Sequence, residues 1–334
     1  MKTQIGINGF GRIGRLFFRA SLKEPRYEVA AINDVSDPRT LAFLLKHDSV
    51  HGRFDADIEA GENALIVNGR KVRVYNEKFP ENIPWKENRI SLVVEASGRF
   101  TDRDAAEKHI RDTVRKVIIS APAKKPDLTV VMGINEINLT DAHRLISNAS
   151  CTTNCLAPLI KVLMPLGIRQ GSMTTIHSYT NDQRILDSPH KDLRRARTAG
   201  ISMIPTSTGA AKAIGEVIPE VQGKLEGMAI RVPTPNVSLV DLVIEVEKDT
   251  SETEVNRMFK EAANGSLKGI LEYTEEPVVS VDMNGNPHSS ILDSSLTRVI
   301  NKRMVKVISW YDNEWGFSCR LKDLLNFMIE KKFL

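Results

Sequence analysis

A cysteine at the start of a helical pattern is the residue of this chain best suited to attack an electrophile. Cys151 stands in Ser147-Asn-Ala-Ser-Cys-Thr-Thr-Asn-Cys155, a stretch of hydroxyls and amides. The residues that follow are apolar at 156, 159, 160 and 163, the spacing of one helical face. Ser147, Asn148 and Ser150 are each candidate N-caps. A thiol at that helix end meets free N–H groups and the positive end of the helix dipole, and both favour the nucleophilic thiolate. Cys155 comes four residues later on the same face. Structural zinc needs about four ligands, and no second ligand pair is present, so no metal is expected. Cys155 and Cys319 are expected to be packed residues.

A nucleophilic cysteine needs a base. Of seven histidines, His177 is the candidate, because it ends the strand pattern Met173-Thr-Thr-Ile-His177 beside Ser178, Thr180 and Asn181. Sites for anions follow. Pro205-Thr-Ser-Thr-Gly-Ala-Ala-Lys212 offers hydroxyls and backbone N–H groups at a helix start. Arg231, at a strand end, offers fixed paired donors for phosphate. The segment Asn181–Arg197 is long, polar and basic, either a solvated surface or a functional loop.

Near the N-terminus, Gly9-Phe10-Gly11-Arg12-Ile13-Gly14 fits G-x-G-x-x-G between a strand and a helix, the context a dinucleotide fingerprint requires. Gly9 permits the turn, Gly11 lets the backbone approach a pyrophosphate, and Gly14 lets the helix pack on the strand. Asp34 lies twenty residues beyond Gly14, at the end of the second strand pattern. A carboxylate there accepts from both ribose hydroxyls of NAD and repels the 2′-phosphate of NADP. A dinucleotide, a thiolate and phosphate sites together point to redox chemistry on a phosphorylated aldehyde.

These residues must be positioned by elements the pattern also supplies. Strands are expected at Thr3–Asn8, Tyr27–Asn33, Leu92–Ala96 and Lys116–Ser120, with helices at Gly11–Leu22, Pro38–Lys46 and Asp102–Arg111. This alternation predicts a parallel, doubly wound α/β sheet of Rossmann type over residues 1–150, completed by a C-terminal helix within 317–334. Residues 151–316 change texture. Ser172–Tyr179, Gly227–Val232, Ser238–Val246, Ser289–Asp293 and Met304–Tyr311 predict an α+β catalytic domain on a mixed, largely antiparallel sheet. Its helices are expected at Gly209–Val217 and Glu252–Ala263, and the C-terminal helix at Phe317–Lys331.

The 334 residues allow one large domain or two ordinary ones, and a hydrophobic fraction of 41% with 26% charged residues fits a globular protein with a core. No apolar run reaches the roughly 18 residues of a membrane span, and the N-terminus lacks a signal-peptide pattern. Three cysteines fit a reducing compartment, so a cytoplasmic protein with no membrane partner is expected. A net charge of +4 gives no support for nucleic-acid binding.

From Asn8-Gly-Phe-Gly-Arg-Ile-Gly14 to Trp310-Tyr-Asp-Asn-Glu-Trp-Gly316 the chain closely resembles phosphorylating glyceraldehyde-3-phosphate dehydrogenase. Ser147–Cys155 carries the superfamily resemblance. His177-Ser-Tyr-Thr-Asn-Asp-Gln183, Asp192-Leu-Arg-Arg-Ala-Arg197 and Thr206-Ser-Thr-Gly-Ala-Ala-Lys212 narrow it to the glycolytic type. The resemblance implies oxidation of D-glyceraldehyde 3-phosphate to 1,3-bisphosphoglycerate, with hydride transfer to NAD through a Cys151 thiohemiacetal and thioester. His177 would pair with the thiolate and then act as base. Gly9, Phe10, Gly11, Arg12, Ile13 and Asp34, with Ser97, Phe100 and Ser120, match the cofactor pocket, and Asn313 matches the residue that orients the nicotinamide amide. Ser150, Thr152, Thr208 and Gly209 match the site for attacking inorganic phosphate. Thr180, Asp182, Arg195 and Arg231 match the region that holds the substrate C3 phosphate. Segment 181–203 matches the family's S-shaped loop, which lies near a neighbouring subunit's cofactor in a homotetramer.

Two positions depart from the family pattern. Ser188 stands where NAD-specific members often carry leucine, which relaxes a barrier against a 2′-phosphate, and Arg39 is a candidate to assist. NAD preference with secondary NADP use is therefore expected. Phe317 replaces the usual tyrosine and keeps an aromatic wall without the hydroxyl. Two rival readings are erythrose-4-phosphate dehydrogenase, suggested by Phe317 and Asn286-Pro-His-Ser-Ser290, and a non-catalytic thiol-based redox or binding protein on the same fold. The intact 206–212 phosphate loop opposes the first, and the presence of Cys151, His177 and both anion sites opposes the second.

Overall fold

The computed structural model describes residues 2–334, which divide into two units. The first comprises residues up to Val130, Glu136–Ala149 and Ser318–Leu334. Its strands are β1 (Thr3–Asn8), β2 (Tyr27–Asn33), β3 (Ile58–Gly61), β4 (Ala64–Val67), β5 (Arg70–Tyr75), β6 (Leu92–Glu95), β7 (Lys116–Ile119), β8 (Leu128–Thr129) and β9 (Leu145–Ser147). They form one sheet in the order β3-β4-β5-β2-β1-β6-β7-β9-β8. From β5 to β8 all pairings are parallel, and β3 and β4 add antiparallel to the edge. The strand order reverses at β1, which has β2 on one side and β6 on the other, and ligands of open α/β sheets bind at the carboxyl ends of strands at such a switch point.

The β1 turn leads into helix α1 (Arg12–Ser21), whose Leu16, Phe17 and Phe18 are buried. The turn is possible only with glycine at two places. Gly9 has φ +89°, and a Cβ there would lie 2.4 Å from Ser97 N and Cα. A Cβ on Gly14 would lie 2.2 Å from the Gly9 carbonyl oxygen. Helix α2 (Pro38–Lys46) starts where the Asp37 carboxylate accepts from Thr40 N–H at 3.0 Å.

Two features of this unit differ from the sequence expectation. The helix expected over 102–111 stops early: α3 spans only Arg103–Ala106, then a 3₁₀ turn, Glu107–His109, follows. The tighter turn accompanies complete burial of His109, which lies against Glu95 and Trp85. Strands β3 to β5 were not foreseen, although Asn68 and Gly69, both at positive φ, are the residues of a two-residue hairpin turn.

The second unit comprises Val131–Asn135 and Ser150–Phe317. Helix α4 (Cys151–Leu163) is followed by β10 (Ile168–Ser178), β11 (Ile204–Ser207), α5 (Ala210–Val217), β12 (Leu225–Val232) and β13 (Ser238–Val246). Helix α6 (Glu252–Asn264), β14 (Leu271–Thr274), β15 (Ser290–Ile300) and β16 (Met304–Tyr311) complete it. The sheet order is β11-β12-β10-β13-β16-β15-β14, with β10/β12 and β14/β15 parallel and the other pairs antiparallel. Alternate residues of β13 are buried, the period-2 pattern of a sheet with one packed face. Helix α4 packs against β13, β15, β16 and α5.

Here too the ends shift. β10 begins at Ile168 rather than at 172, and β15 runs to Ile300 rather than 293. β11 and β14 are four-residue edge strands too short to show a period. The C-terminal helix α7 (Trp315–Glu330) starts two residues early because the Asp312 carboxylate accepts from Glu314 N–H (2.9 Å) and Trp315 N–H (2.8 Å).

The Gly14 contact sets a stability test. Gly14→Ala forces a Cβ against a backbone oxygen that cannot rotate away, so urea denaturation should show a loss of about 1–3 kcal/mol.

Candidate functional site

In the first unit the glycine loop, Asp34, Ser97 and Ser120 directly follow the carboxyl ends of β1, β2, β6 and β7, and Phe100 lies farther along the segment after β6. Gly11 is the N-cap of α1 and carries no side chain to satisfy the helix's free N–H groups, and Arg12 and Ile13 follow in the first turn, which has no acidic residue. An uncapped N-terminus of this kind suits a pyrophosphate. A Cβ at Gly11 would meet no atom within 4 Å, so the approach is open. The Asp34 carboxylate accepts from Phe10 N–H at 2.7 Å and from Ser36 N–H at 2.9 Å, which braces the glycine loop against the end of β2. Arg12 pairs with Asp48 at 2.7 Å. Ser97 donates its hydroxyl to Glu95 and accepts from Arg99 N–H at 3.1 Å, so that hydroxyl is committed within the protein. These features fit a dinucleotide. Asn313, also expected at the cofactor, belongs to the second unit. Its Oδ1 accepts from the hydroxyls of Ser178 and Ser238, each at 2.9 Å, which fixes the amide with Nδ2 directed away from them.

In the second unit Ser150 is the N-cap of α4: its hydroxyl accepts from Thr153 N–H at 3.0 Å. This puts Cys151 at the first helical position. The parallel register of β10 and β12 sets His177 beside Arg231. Cys151 Sγ lies 3.5 Å from His177 Nε2. His177 Nδ1 lies 2.7 Å from the Ser178 carbonyl, which can only accept. In the tautomer that carries its proton on Nδ1, this carbonyl accepts it and the Nε2 lone pair faces the thiol. Arg231 Nη1 donates to the same carbonyl at 3.1 Å and lies 2.9 Å from Nδ1.

Burial dominates the electrostatics. It pushes the Cys151 thiol up, against the pull of the Arg231 charge and of the Thr152 hydroxyl and N–H groups. The helix end and Arg231 thus act on the thiol against the desolvation of its surroundings. Burial first, and Arg231 second, lower the His177 pKa to about 3. Burial thus opposes a charge on either group alone. Moving the proton from Sγ to Nε2 creates the two charges together, where each offsets the other.

Arg231 is itself lowered by burial. Among the described residues no carboxylate lies within ion-pair distance of it, and its Nε is buried without a hydrogen-bond partner. A half-buried guanidinium with no carboxylate at ion-pair distance is a site that an anion completes. Arg195 is held differently: it pairs with Asp182 and donates to Thr206 Oγ1 (3.0 Å) and the Ser207 carbonyl (3.2 Å). Thr180 accepts from Gln183 N–H at 2.9 Å. Thr208 Oγ1 accepts from Ala210 N–H at 3.2 Å beside Gly209, the N-cap of α5.

Sequence reasoning missed Tyr311. Its hydroxyl bridges Thr152 Oγ1 (2.9 Å) and Thr175 Oγ1 (2.8 Å), and its ring stands edge-on to His177 at 5.9 Å. Its place at the end of β16, next to Asn313, was the available signal.

Comparison with known proteins gives consistent matches. Residues 3–103 match the family model described as the NAD binding domain of glyceraldehyde 3-phosphate dehydrogenase, and residues 150–313 match its C-terminal domain. The chain is 59% identical over 333 residues to a glyceraldehyde-3-phosphate dehydrogenase of Geobacillus stearothermophilus, covering 99% of each chain. It is 58% identical over 331 residues to glyceraldehyde-3-phosphate dehydrogenase 1 of Bacillus cereus, covering 98% of this chain and 99% of that one.

The depressed His177 has a stability consequence. In the unfolded chain a histidine takes up its proton near pH 6.5, whereas in the fold it does so only near 3. The stabilisation is complete above about pH 6.5 and is lost as pH falls toward 3. In urea denaturation between pH 6.5 and 4.5, His177→Asn should flatten the acid loss by up to about 1.4 kcal/mol per pH unit.

Proposed function

The chain belongs to the glyceraldehyde-3-phosphate dehydrogenase family, and from that premise we propose how its residues carry the reaction. It is an NAD-dependent oxidoreductase that converts D-glyceraldehyde 3-phosphate and inorganic phosphate to 1,3-bisphosphoglycerate in glycolysis. The observation that carries the residue roles is the 3.5 Å contact of Cys151 Sγ with His177 Nε2 beside an uncompensated arginine.

Cys151 transfers its proton to His177 Nε2 and attacks the aldehyde carbon, and the returned proton gives a thiohemiacetal. His177 then takes the thiohemiacetal hydroxyl proton as the C–H bond is lost, which leaves a thioester. NAD, held by Gly9, Phe10, Gly11, Arg12, Ile13, Asp34, Ser97, Phe100, Ser120 and Asn313, supplies the hydride acceptor. Phosphate oxygen attacks the thioester carbon, the C–S bond breaks, and Cys151 is released. Arg231 and Arg195, with Thr180 and Asp182, hold the substrate phosphate. Ser150, Thr152, Thr208 and Gly209 serve the attacking phosphate. The two threonine hydroxyls and the Ser150 hydroxyl already have partners in the protein, so binding by them requires exchange or sharing of those bonds.

The first unit then serves as the cofactor domain and the second as the catalytic domain. Assembly as a homotetramer through segment 181–203 is supported by side chains it leaves in water: Ile185, Leu186, Leu193 and Ile201 are 72–86% exposed. A cytoplasmic location accords with three free cysteines. Asp34 sets the preference for NAD, and Ser188 and Arg39 leave room for secondary NADP use.

Two experiments test these roles. Paired assays with NAD and NADP, each with and without phosphate, should show NADH formation only with phosphate or arsenate and a higher kcat/KM for NAD. Undiminished turnover without either anion would overturn the phosphorylating role. Cys151→Ser should lower kcat by at least about 10³-fold, while calorimetric titration finds NAD affinity little changed.

A further inference from the structure

Glu95, the last residue of β6, is 1% exposed and takes no part in the chemistry above. Every side-chain contact it makes is with a donor. Oε1 accepts from the N–H (2.9 Å) and hydroxyl (2.5 Å) of Ser97. Oε2 accepts from Asn8 Nδ2 at 2.5 Å and from His109 Nε2 at 3.0 Å. The histidine's role is fixed from behind. Trp85 Nε1–H can only donate, and it donates to His109 Nδ1 at 3.1 Å, so the His109 proton lies on Nε2 and points at Glu95.

The groups tied to this carboxylate share one property: they lead to the cofactor residues. Asn8 precedes Gly9, and its Oδ1 accepts from Asn33 Nδ2 at 2.8 Å, one residue before Asp34. Ser97 is the residue against which Gly9 packs without room for a Cβ. The backbone carbonyl of Glu95 accepts from Ser120 N–H at 3.0 Å. One buried side chain thus spans the ends of β1, β2 and β6, and its main chain reaches the end of β7. A glutamine leaves at least one donor unmatched. With its NH₂ toward Ser97, the hydroxyl can turn to accept but the Ser97 N–H loses its acceptor; with its NH₂ toward Asn8 and His109, it meets two donors, and Trp85 holds His109 Nε2 as a donor.

We propose that Glu95 is a positioning residue for NAD, and that its negative charge holds the Gly9 turn, Ser97 and Ser120 in the shape that receives the dinucleotide. The proposal rests on the reading that the first unit binds NAD. The test is calorimetric titration of NAD into wild type, Glu95→Gln and His109→Phe, with KM values for both substrates and the melting temperature of each free protein. Binding by wild type secures the underlying reading on its own. Glu95→Gln should raise Kd and KM for NAD at least about tenfold, with KM for glyceraldehyde 3-phosphate and kcat at saturating NAD within about threefold. His109→Phe, which keeps the Glu95 carboxylate, removes one of its donors and is not among the residues that hold NAD, should weaken NAD by about threefold. A lower melting temperature with NAD Kd within about twofold of wild type would make Glu95 a brace of the fold alone and overturn the proposal. If Glu95→Gln does not fold, His109→Phe decides: unchanged NAD affinity overturns it and selective loss supports it.

Discussion

Cys151 and His177 face each other across 3.5 Å where a charge on either alone is disfavoured. Burial raises the thiol and depresses the imidazole, so a charge on one is best accommodated beside the opposite charge on the other. That requirement dictates much of the second unit. The sulfur is fixed by the first turn of α4, capped by Ser150. The imidazole is fixed by a carbonyl of its own strand, by the edge of Tyr311, and by the β10/β12 register that brings Arg231 alongside. An error of one residue in that register would turn Arg231 to the other face of the sheet.

Arg231 performs two functions through one charge. It lowers the thiol and the imidazole together, which favours thiolate and disfavours a resting imidazolium. Half-buried and with its Nε unpartnered, it also remains available to an anion. Arg195 shows the contrast. With Asp182 already paired to it, its guanidinium is oriented by the protein, and a phosphate there would join an existing network rather than complete an empty one.

The first unit solves a steric problem with an electrostatic one. Gly9 and Ser97 approach more closely than any side chain allows, and four donors converge on Glu95 directly beneath. A buried charge is costly unless fully hydrogen-bonded. Here the two carboxylate oxygens accept from all four, an arrangement that an amide, with one oxygen, cannot reproduce.

Much of this was legible in the chain. The glycine loop with Asp34 and the α4 start rest on local spacing, and local spacing is written in sequence. The Asn68-Gly69 turn was equally legible and was overlooked, while the early end of α3 was not, since His109 turns inward to partners 14 and 24 residues away. The sequence by itself determined the alternation of elements, the positions that had to be glycine, and the nucleophile's place at a helix start, because these follow from backbone sterics and side-chain period. Only the tertiary structure decided that burial works against the charge on the Cys151 thiol, that the Tyr311 hydroxyl reaches Thr152 from 159 positions away, and that four donors converge on Glu95. Burial and converging donors set those properties, and both arise only when strands distant in the chain are brought side by side.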